Sequence, residues 1–253
     1  HELLRLQAER AAVSGYAYKG ETAACKAFAA AFPYEETPDQ AAAIEDIRKD
    51  IGGRRPMDRL LIGDVGFGKT EVAMRAAMRV VQEGHQVALI CPTTVLAMQH
   101  LRTFTQRFSP FGVETAMISR LQSTAEAKEI RKRLAEGEIG ILVGTHALLG
   151  KNVRFKQLGL VIADEEHRFG VRQKEKLKRL SQEQRENPTE YLAMSATPIP
   201  RTLHMALSGV RSVSIIATPP AGRRSVKTMV LRRSDAKMQQ QIRRELQRGG
   251  QVF

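Results

Sequence analysis

Short apolar runs alternate with amphipathic segments along most of this chain. The apolar runs predict buried strands at 59–62, 86–91, 113–118, 139–143, 158–163 and 190–194. Between them, apolar residues recur three or four positions apart, which predicts helices at 38–51, 69–82, 95–108, 125–135, 171–180 and 200–207. Such alternation is typical of a parallel sheet that helices cover on both faces. The pattern therefore predicts an α/β fold, in which ligands bind beyond the carboxyl ends of the strands.

The two ends of the chain depart from this alternation. Helices without candidate chemistry are predicted at 2–14 and 21–31, and the first starts in mid-pattern, so we expect a piece of a longer protein. After a linker, the pattern predicts a strand at 226–231, a helix at 236–247 and the start of a strand at 249–253. We expect three parts: a helical extension at 1–31, a main domain at 32–218, and a linker with the start of a second domain at 219–253.

The sequence GDVGFGKT has the spacing of a loop that binds phosphate groups. It consists of Gly63, Asp64, Val65, Gly66, Phe67, Gly68, Lys69 and Thr70. The glycines permit a turn whose backbone N–H groups face a phosphate, and the helix start adds further donors. Lys69 would then reach the β- and γ-phosphates of a nucleotide, and Thr70 would bind the magnesium ion between them. A glycine-rich turn without a ligand is the alternative, which the strand–turn–helix order disfavours.

Acidic and hydroxyl residues follow two later strands. Asp164 and Glu165 come directly after the strand at 158–163, where one carboxylate could hold magnesium and the other could activate a water molecule. The alternative is an acidic loop at a helix start. Ser195 and Thr197 follow the strand at 190–194 and could hydrogen-bond to His167, although a turn stiffened by proline would also explain them.

Gln40 permits two interpretations. Thr37, Pro38 and Gln40 have the pattern of a reciprocally capped helix start, which is a sufficient structural explanation. A glutamine just upstream of a phosphate loop, with an aromatic residue nearby, could instead recognise adenine through the donor and the acceptor of its amide. The local sequence leaves both interpretations open.

Composition narrows the choice of partners and compartment. The chain has 40 Lys and Arg against 27 Asp and Glu, a net charge of +13, which would attract nucleic acid without giving specificity. A solvated basic surface is the alternative. Cys25 and Cys91 are too few for a disulfide framework or a zinc site, and Cys91 lies in an apolar run that predicts a buried thiol. No apolar run approaches membrane-spanning length, so we expect a cytoplasmic protein without a membrane partner.

These motifs, in this order, resemble those of the superfamily 2 helicases and translocases. The resemblance covers residues 32–253 and rests on Gln40, GDVGFGKT, PTTVLAMQH at 92–100, VGTH at 143–146, DEEH at 164–167 and SATPIPRT at 195–202. FPYEETPDQ at 32–40, ISR at 118–120 and DEEHRFGV at 164–171 are similar to the bacterial double-stranded DNA translocases that couple transcription to repair. RecG-type branched-DNA helicases are the nearest alternative, but their pattern has Gln in place of Glu166 and lacks the PYEET run.

The resemblance implies a RecA-like P-loop NTPase lobe that uses ATP and Mg²⁺. The residues it implies for the nucleotide are Gln40 at the adenine, 63–70 at the triphosphate, Asp164 at the metal and Glu165 at the hydrolytic water. The residues it implies for coupling nucleotide to nucleic acid are His167, Ser195, Thr197 and, as a weaker candidate, Arg201. The residues it implies along one strand of duplex DNA are Thr94, Gln99, Arg120, Thr145 and His146. Hydroxyl groups, an arginine and helix-start N–H groups suit contacts to phosphates that do not read sequence.

The resemblance also implies partners that this sequence does not itself encode. The intact protein would displace a stalled RNA polymerase and engage nucleotide excision repair proteins through other parts. The second lobe would supply an arginine finger, which contributes on the order of a thousandfold in phosphoryl transfer. We therefore expect the 253-residue chain to bind nucleotide weakly and to hydrolyse ATP negligibly. The alternatives are a RecG-like helicase lobe and a non-catalytic module that binds DNA or protein.

Overall fold

The computed structural model describes residues 14–170, 173, 176, 177, 180, 188–196, 211–221, 230 and 232–252. The chain divides into two compact units, His1–Ala221 and Gly222–Phe253. The larger unit contains the sheet and the candidate site. In the smaller unit, the described residues form one helix, which begins after Ser234.

Within the described residues, a seven-stranded sheet forms the centre of the larger unit. Its strands are β1 (Asp58–Gly63), β2 (Gln86–Ile90), β3 (Thr115–Ile118), β4 (Ile141–Gly144), β5 (Leu158–Asp164), β6 (Glu190–Ser195) and β7 (Ser212–Ile216). Their spatial order is β3-β4-β2-β5-β6-β1-β7, and every neighbouring pair is parallel. All seven strands therefore end at the same edge of the sheet, where α/β folds bind their ligands. This edge is called the carboxyl edge below.

An α-helix connects each pair of successive strands from β1 to β4. The helices are α1 (Ala23–Ala30), α2 (Pro38–Ile51), α3 (Lys69–Gln82), α4 (Thr94–Phe108) and α5 (Thr124–Glu136), with α6 (Asp235–Gln247) in the smaller unit. Short 3-10 helices span Ser109–Phe111, His146–Leu149 and Glu166–Arg168. In the part of the chain that the structure describes, every helix is too short or too polar to cross a membrane.

Side-chain caps fix where two of the helices begin. Thr37 Oγ1 accepts the Gln40 N–H at 3.2 Å, while Gln40 Oε1 accepts the Thr37 N–H at 3.0 Å. Ser123 and Glu126 form the same reciprocal pair at the start of α5. Each pair satisfies two N–H groups that would otherwise lack a partner at a helix start. The predicted capped start at Thr37 is confirmed.

Both faces of the sheet are covered by apolar side chains. Along β5, Leu160 and Ile162 belong to one buried cluster, and Val161 and Ala163 belong to the other. Successive side chains of a strand point to opposite faces, so a strand that is apolar at every position needs cover on both sides. The first cluster contains residues of α3 and α4, and the second contains Leu134 of α5. The predicted α/β fold with a parallel sheet is confirmed.

Most predicted elements agree with the observed ones. The helix predicted at 69–82 has those bounds, and the strand predicted at 113–118 is shorter, at 115–118. Four predicted elements fall wholly or largely outside the described residues, namely those at 2–14, 171–180, 200–207 and 226–231.

In the carboxyl-terminal part of the chain, one observed strand was not predicted and one predicted strand was wrong. The strand β7 was not predicted, because it is a short edge strand in which only Ser214 and Ile216 are buried. The strand expected to start at 249 is not formed by residues 249–252. There Gly249 has a φ of 77°, and the N–H groups of Gly249 and Gly250 return to carbonyl groups of the last turn of α6. These glycines therefore end the helix, as a left-handed glycine commonly does.

Candidate functional site

The loop at 63–70 connects β1 to α3 through two left-handed glycines. Gly66 and Gly68 have φ angles of 79° and 83°, a conformation that costs a residue with a Cβ roughly 1–2 kcal/mol. A Cβ on Gly68 would also lie 2.3 Å from Gln40 Nε2. Position 68 therefore requires glycine both for its backbone angle and for the close approach of a neighbouring side chain.

Gln40 holds this loop as well as the start of its own helix. Its Nε2 donates to the Phe67 carbonyl oxygen at 2.8 Å, and its Oε1 accepts the N–H of Thr37. The capping interpretation of Gln40 is therefore confirmed. The amide has two N–H groups and two oxygen lone pairs, so these two contacts do not use its full hydrogen-bonding capacity, although only 3% of Gln40 is exposed. Contact with adenine stays a prediction.

The sheet register places the acidic pair and the phosphate loop at one edge. Asp164 of β5 pairs with Met194 of β6, and Met194 in turn pairs with Leu61 of β1. Neighbouring strands lie about 4.8 Å apart, so the backbones at Asp164 and Leu61 are separated by about two strand spacings. The loop that follows β1 and the carboxylates at the end of β5 thus lie on either side of the end of β6.

Asp164 contacts the helix that follows β2. Its Oδ2 lies 2.7 Å from Nε2 of His100 in α4, and both residues are buried. A carboxylate has about four acceptor positions, so this bond leaves Asp164 able to bind a metal ion. Burial, and then the charge of Asp164, raise the pKa of the Cys91 thiol, so Cys91 is a neutral buried thiol as predicted.

Glu165 has a strained backbone. Among the residues that the structure describes, it alone combines a positive φ, 50°, with a side chain. Residues held in sparsely populated conformations cluster at functional sites. Its Oε2 lies 3.2 Å from Nδ1 of His167, and the same nitrogen lies 3.2 Å from Ser195 Oγ. The structure therefore brings three predicted site residues together, while Thr197 and Arg201 lie outside the described residues.

The residues predicted to contact DNA lie along the other half of the carboxyl edge. They follow β2, β3 and β4, which are adjacent in the sheet. The guanidinium of Arg120 contacts Nε2 of His146, which brings two of them together. Thr94, Gln99, Arg120 and His146 are partly or fully exposed, whereas Thr145 is buried. Four of the five side chains are therefore accessible to a ligand at this edge.

The groups around the phosphate loop fit a triphosphate with magnesium. The Lys69 ammonium donates to the carbonyl oxygens of Gly63 and Asp64 at 2.5 and 3.0 Å, and the N-cap residue of α3, Gly68, provides no side-chain cap. Thr70 and Asp164 offer oxygen ligands, which magnesium prefers. No cluster of three or more His, Cys, Asp or Glu side chains within the described ranges could hold a metal ion. Magnesium needs no such cluster, because phosphate oxygens and water complete its coordination.

Three polar residues make contacts in and around the candidate site, although sequence analysis assigned them no role. His100 contacts Asp164, as above. Arg211 Nη1 lies 2.7 Å from Glu166 Oε2. Asp39 Oδ2 accepts the N–H groups of Ala217 and Thr218 at 2.9 and 2.7 Å. His100 and Asp39 lie within motifs and so offered a signal, whereas Arg211 does not, and all three bind partners that are distant in the sequence.

Fold and site define a lobe of a superfamily 2 helicase motor, and sequence comparison gives the same class. Residues 37–206 match the family of DEAD/DEAH box helicases. Because that match covers more than half of the chain, the chain belongs to the DEAD/DEAH box helicase family.

Individual relatives of the chain indicate a narrower group within this family. The chain is similar to the transcription-repair-coupling factors of Myxococcus xanthus, at 52% identity, and of Bacillus subtilis (strain 168), at 48% identity, each over 252 residues and 100% of this chain. It spans only 21% of the length of each of them. The structure of RecG bound to a three-way DNA junction is also similar, with a TM-score of 0.81 and 36% identity over 98% of this chain and 34% of that one. The resemblance predicted from the motifs is confirmed.

Proposed function

We propose that this chain is the first motor lobe of an ATP-dependent double-stranded DNA translocase, which displaces stalled RNA polymerase and couples transcription to nucleotide excision repair. The identity of 52% with a transcription-repair-coupling factor supports this role. The chain spans 21% of the length of that relative. Contacts with RNA polymerase and with repair proteins are therefore assigned to other parts of a longer protein.

One observation carries the ATP-dependent part of this proposal. Asp164 and Leu61 pair with the same residue of β6, so the carboxylates and the phosphate loop share one edge. The loop N–H groups and Lys69 would bind the triphosphate, and Thr70 and Asp164 would bind magnesium. Magnesium, when bound, neutralises phosphate charge and so lowers the barrier to phosphoryl transfer.

Glu165 is proposed to orient the attacking water and to accept its proton. His167 lies beside its carboxylate, with Nδ1 3.2 Å from Oε2 of Glu165. His167 also contacts Ser195 at the end of β6. A movement of the Glu165 side chain could thus be transmitted to the end of β6 through the His167 imidazole alone. This connection supports a coupling role for His167 and Ser195.

DNA is proposed to lie along the ends of β2, β3 and β4. Arg120, His146, Thr94 and Gln99 are accessible there, and their side chains suit contacts with phosphate oxygens. The net charge of +13 favours association with a polyanion. Such contacts carry no sequence preference, as a protein that moves along DNA requires.

Nucleotide binding tests the proposal directly. A fluorescent ATP analogue is titrated into the purified chain with and without Mg²⁺, comparing wild type with Lys69→Ala and with Lys128→Ala, an exposed lysine of α5. We expect Lys69→Ala to lose binding and Lys128→Ala to bind as wild type does. Absence of binding in every sample would contradict the ATP-dependent function and would favour a non-catalytic module that binds DNA or protein.

We also propose that the chain alone hydrolyses ATP at a negligible rate. The resemblance assigns the arginine finger to a second lobe, and such a residue contributes on the order of 10³–10⁵ in related enzymes. DNA-stimulated turnover that Glu165→Gln abolished, at a rate typical of a complete motor, would contradict this.

A RecG-like branched-DNA helicase is the second candidate. The RecG structure, bound to a three-way junction, is 36% identical to this chain. The two candidates differ in substrate, so competition between a linear duplex and a three-way junction of equal length separates them. A strong preference of the longer protein for the junction would favour the second candidate.

A further inference from the structure

A hydrogen bond connects the two halves of the carboxyl edge. Asp164 Oδ2 lies 2.7 Å from His100 Nε2, and His100 belongs to α4, which also carries Thr94 and Gln99. The strand that leads into α4, β2, is the sheet neighbour of β5. The candidate metal ligand therefore contacts the helix that carries candidate DNA contacts.

The surroundings of this bond restrict both side chains. His100 and Asp164 expose 11% and 12% of their side chains. A carboxylate oxygen accepts and an imidazole N–H donates, so the tautomer that makes this bond carries its hydrogen on Nε2. Phe104, one turn further along α4, packs edge-on against the imidazole with ring centroids 6.2 Å apart. The ring is thus held by packing while its nitrogen holds one oxygen of the carboxylate.

Two explanations fit a buried histidine beside a carboxylate. The first is that His100 only satisfies a polar neighbour, in which case its loss would weaken folding and nucleotide binding without regard to metal. The second is that it orients the carboxylate. Ligating carboxylates are commonly hydrogen-bonded by a second layer of residues, and loss of such a partner typically costs 10–100-fold in metal affinity. The position of the bond, on a proposed metal ligand and from a helix of the DNA half, favours the second explanation.

We propose that His100 is a positioning residue that holds Asp164 in the orientation in which it binds Mg²⁺, and that through it a movement of α4 changes the metal site. This inference rests on the proposed function, because it assumes that Asp164 binds magnesium with ATP. It predicts that DNA bound at the start of α4 and Mg²⁺ bound at Asp164 influence each other through His100.

The test measures metal dependence of binding and needs no hydrolysis. The affinity of the chain for a fluorescent ATP analogue is titrated against Mg²⁺ for wild type, His100→Leu and His100→Gln. Leucine fills the space without a donor, whereas the glutamine amide can place a donor near the position of Nε2. Thr103→Ala is the control, because Thr103 is an exposed residue of the same helix.

We expect His100→Leu to require about tenfold more Mg²⁺ for half-maximal binding, with unchanged affinity for the analogue in the absence of metal. His100→Gln is expected to restore most of this loss, and Thr103→Ala to match wild type. An unchanged Mg²⁺ requirement in His100→Leu, or an equal loss with and without Mg²⁺, would overturn the inference. Equal binding of the ATP analogue by wild type and Lys69→Ala would contradict the proposed function itself. This outcome differs from the two that overturn only the inference about His100.

His100→Asn keeps the inference testable if the leucine variant does not fold. Its amide is polar but does not extend as far as the position of Nε2, so it cannot bond to the carboxylate. The same increase in Mg²⁺ requirement is therefore expected. Thermal unfolding of each variant in the absence of nucleotide shows that the comparison is made between folded proteins. A folded His100→Asn with the Mg²⁺ requirement of wild type would also overturn the inference.

Discussion

Arg211 Nη1 lies 2.7 Å from Glu166 Oε2, with only 8% of the arginine side chain and 14% of the glutamate side chain exposed. The same guanidinium places Nε 2.7 Å from Asp58, and it lies 5.2 Å from the centre of the Tyr191 ring. One buried cation thus joins the loop after β5, the start of β1 and β6. The arrangement gives Glu166 a structural role beside the proposed chemistry of its neighbours.

Replacing Arg211 with methionine is expected to destabilise the chain strongly. The change would remove the buried partner of the Glu166 carboxylate, and breaking a buried pair in this way costs about 3–5 kcal/mol. Urea denaturation at neutral pH measures the loss. Glu166→Gln is expected to lose less, because the amide oxygen still accepts from the guanidinium. A loss below about 1 kcal/mol in Arg211→Met, as for exposed ion pairs, would contradict the prediction.

Gly68→Ala is expected to cost more stability than Gly84→Ala. Both glycines are left-handed, with φ angles of 83° and 81°, so both substitutions cost roughly 1–2 kcal/mol in backbone strain. A Cβ at position 84 meets no atom within 4 Å, whereas one at 68 would displace the Gln40 amide. The additional loss is about 1 kcal/mol, the net value of a hydrogen bond such as that from Gln40 to Phe67. Equal losses in urea denaturation would show that Gln40 moves away at no cost.

Asp39 is expected to hold the backbone that follows β7 in a pH-dependent manner. Hydrogen bonds from Thr218, by side chain and backbone, and from the Ala217 N–H lower the pKa of the Asp39 carboxyl group. Because the folded pKa is the lower one, the contact stabilises the fold above the unfolded pKa of about 3.9. It is lost as the pH falls through the lowered value.

Amide hydrogen exchange of Ala217 and Thr218 at neutral pH measures this contact. Asp39→Ala is expected to speed exchange at both positions, because their N–H groups lose the acceptor. Glu45→Ala is the control, since Glu45 lies on the same helix and pairs with Arg48. Exchange rates that did not differ between Asp39→Ala and wild type would argue against an anchoring role.

Glu165→Gln is expected to separate binding from hydrolysis in the longer protein. The amide cannot accept a proton from water, and loss of a general base costs about 10²–10⁴ in rate. Affinity for ATP is expected to change little, because Glu165 is not a proposed ligand of the nucleotide. Phosphate release in the presence of DNA measures the effect, with Glu129→Gln, an exposed residue of α5, as control. A variant that hydrolysed ATP at the wild-type rate would exclude Glu165 as the base.

Local sequence patterns were sufficient to predict the elements whose signals lie within a few consecutive residues. Buried parallel strands are apolar at every position, as at Val87–Ile90, and the helix starts at Thr37 and Ser123 carry their caps within four residues. Strand β7 gave a weaker signal, because a strand at the edge of a sheet is only partly buried and can contain serine. The phosphate loop was predictable because its function and its strand–turn–helix context lie in one continuous stretch.

The contacts that organise the site were not predictable from local sequence. Asp39 and Arg211 bind groups that only the tertiary fold brings near them, and no periodicity records such pairs. Gln40 was ambiguous for a physical reason, because one amide can cap a helix and bind the loop without using its full hydrogen-bonding capacity. His100 was visible within a motif, but its partner became evident only from the order of β2 and β5 in the sheet.

The left-handed backbone at Glu165 lowers the stability of the fold, whereas the side chain at the same position supplies the carboxylate of the proposed chemistry. Glycine there would relieve a strain of roughly 1–2 kcal/mol, but it would remove the carboxylate that the proposed hydrolysis requires. A screen that selected only for heat resistance would therefore be expected to recover glycine at position 165 among its tolerated changes. A thermostable version of this chain should keep that residue fixed and gain its stability elsewhere.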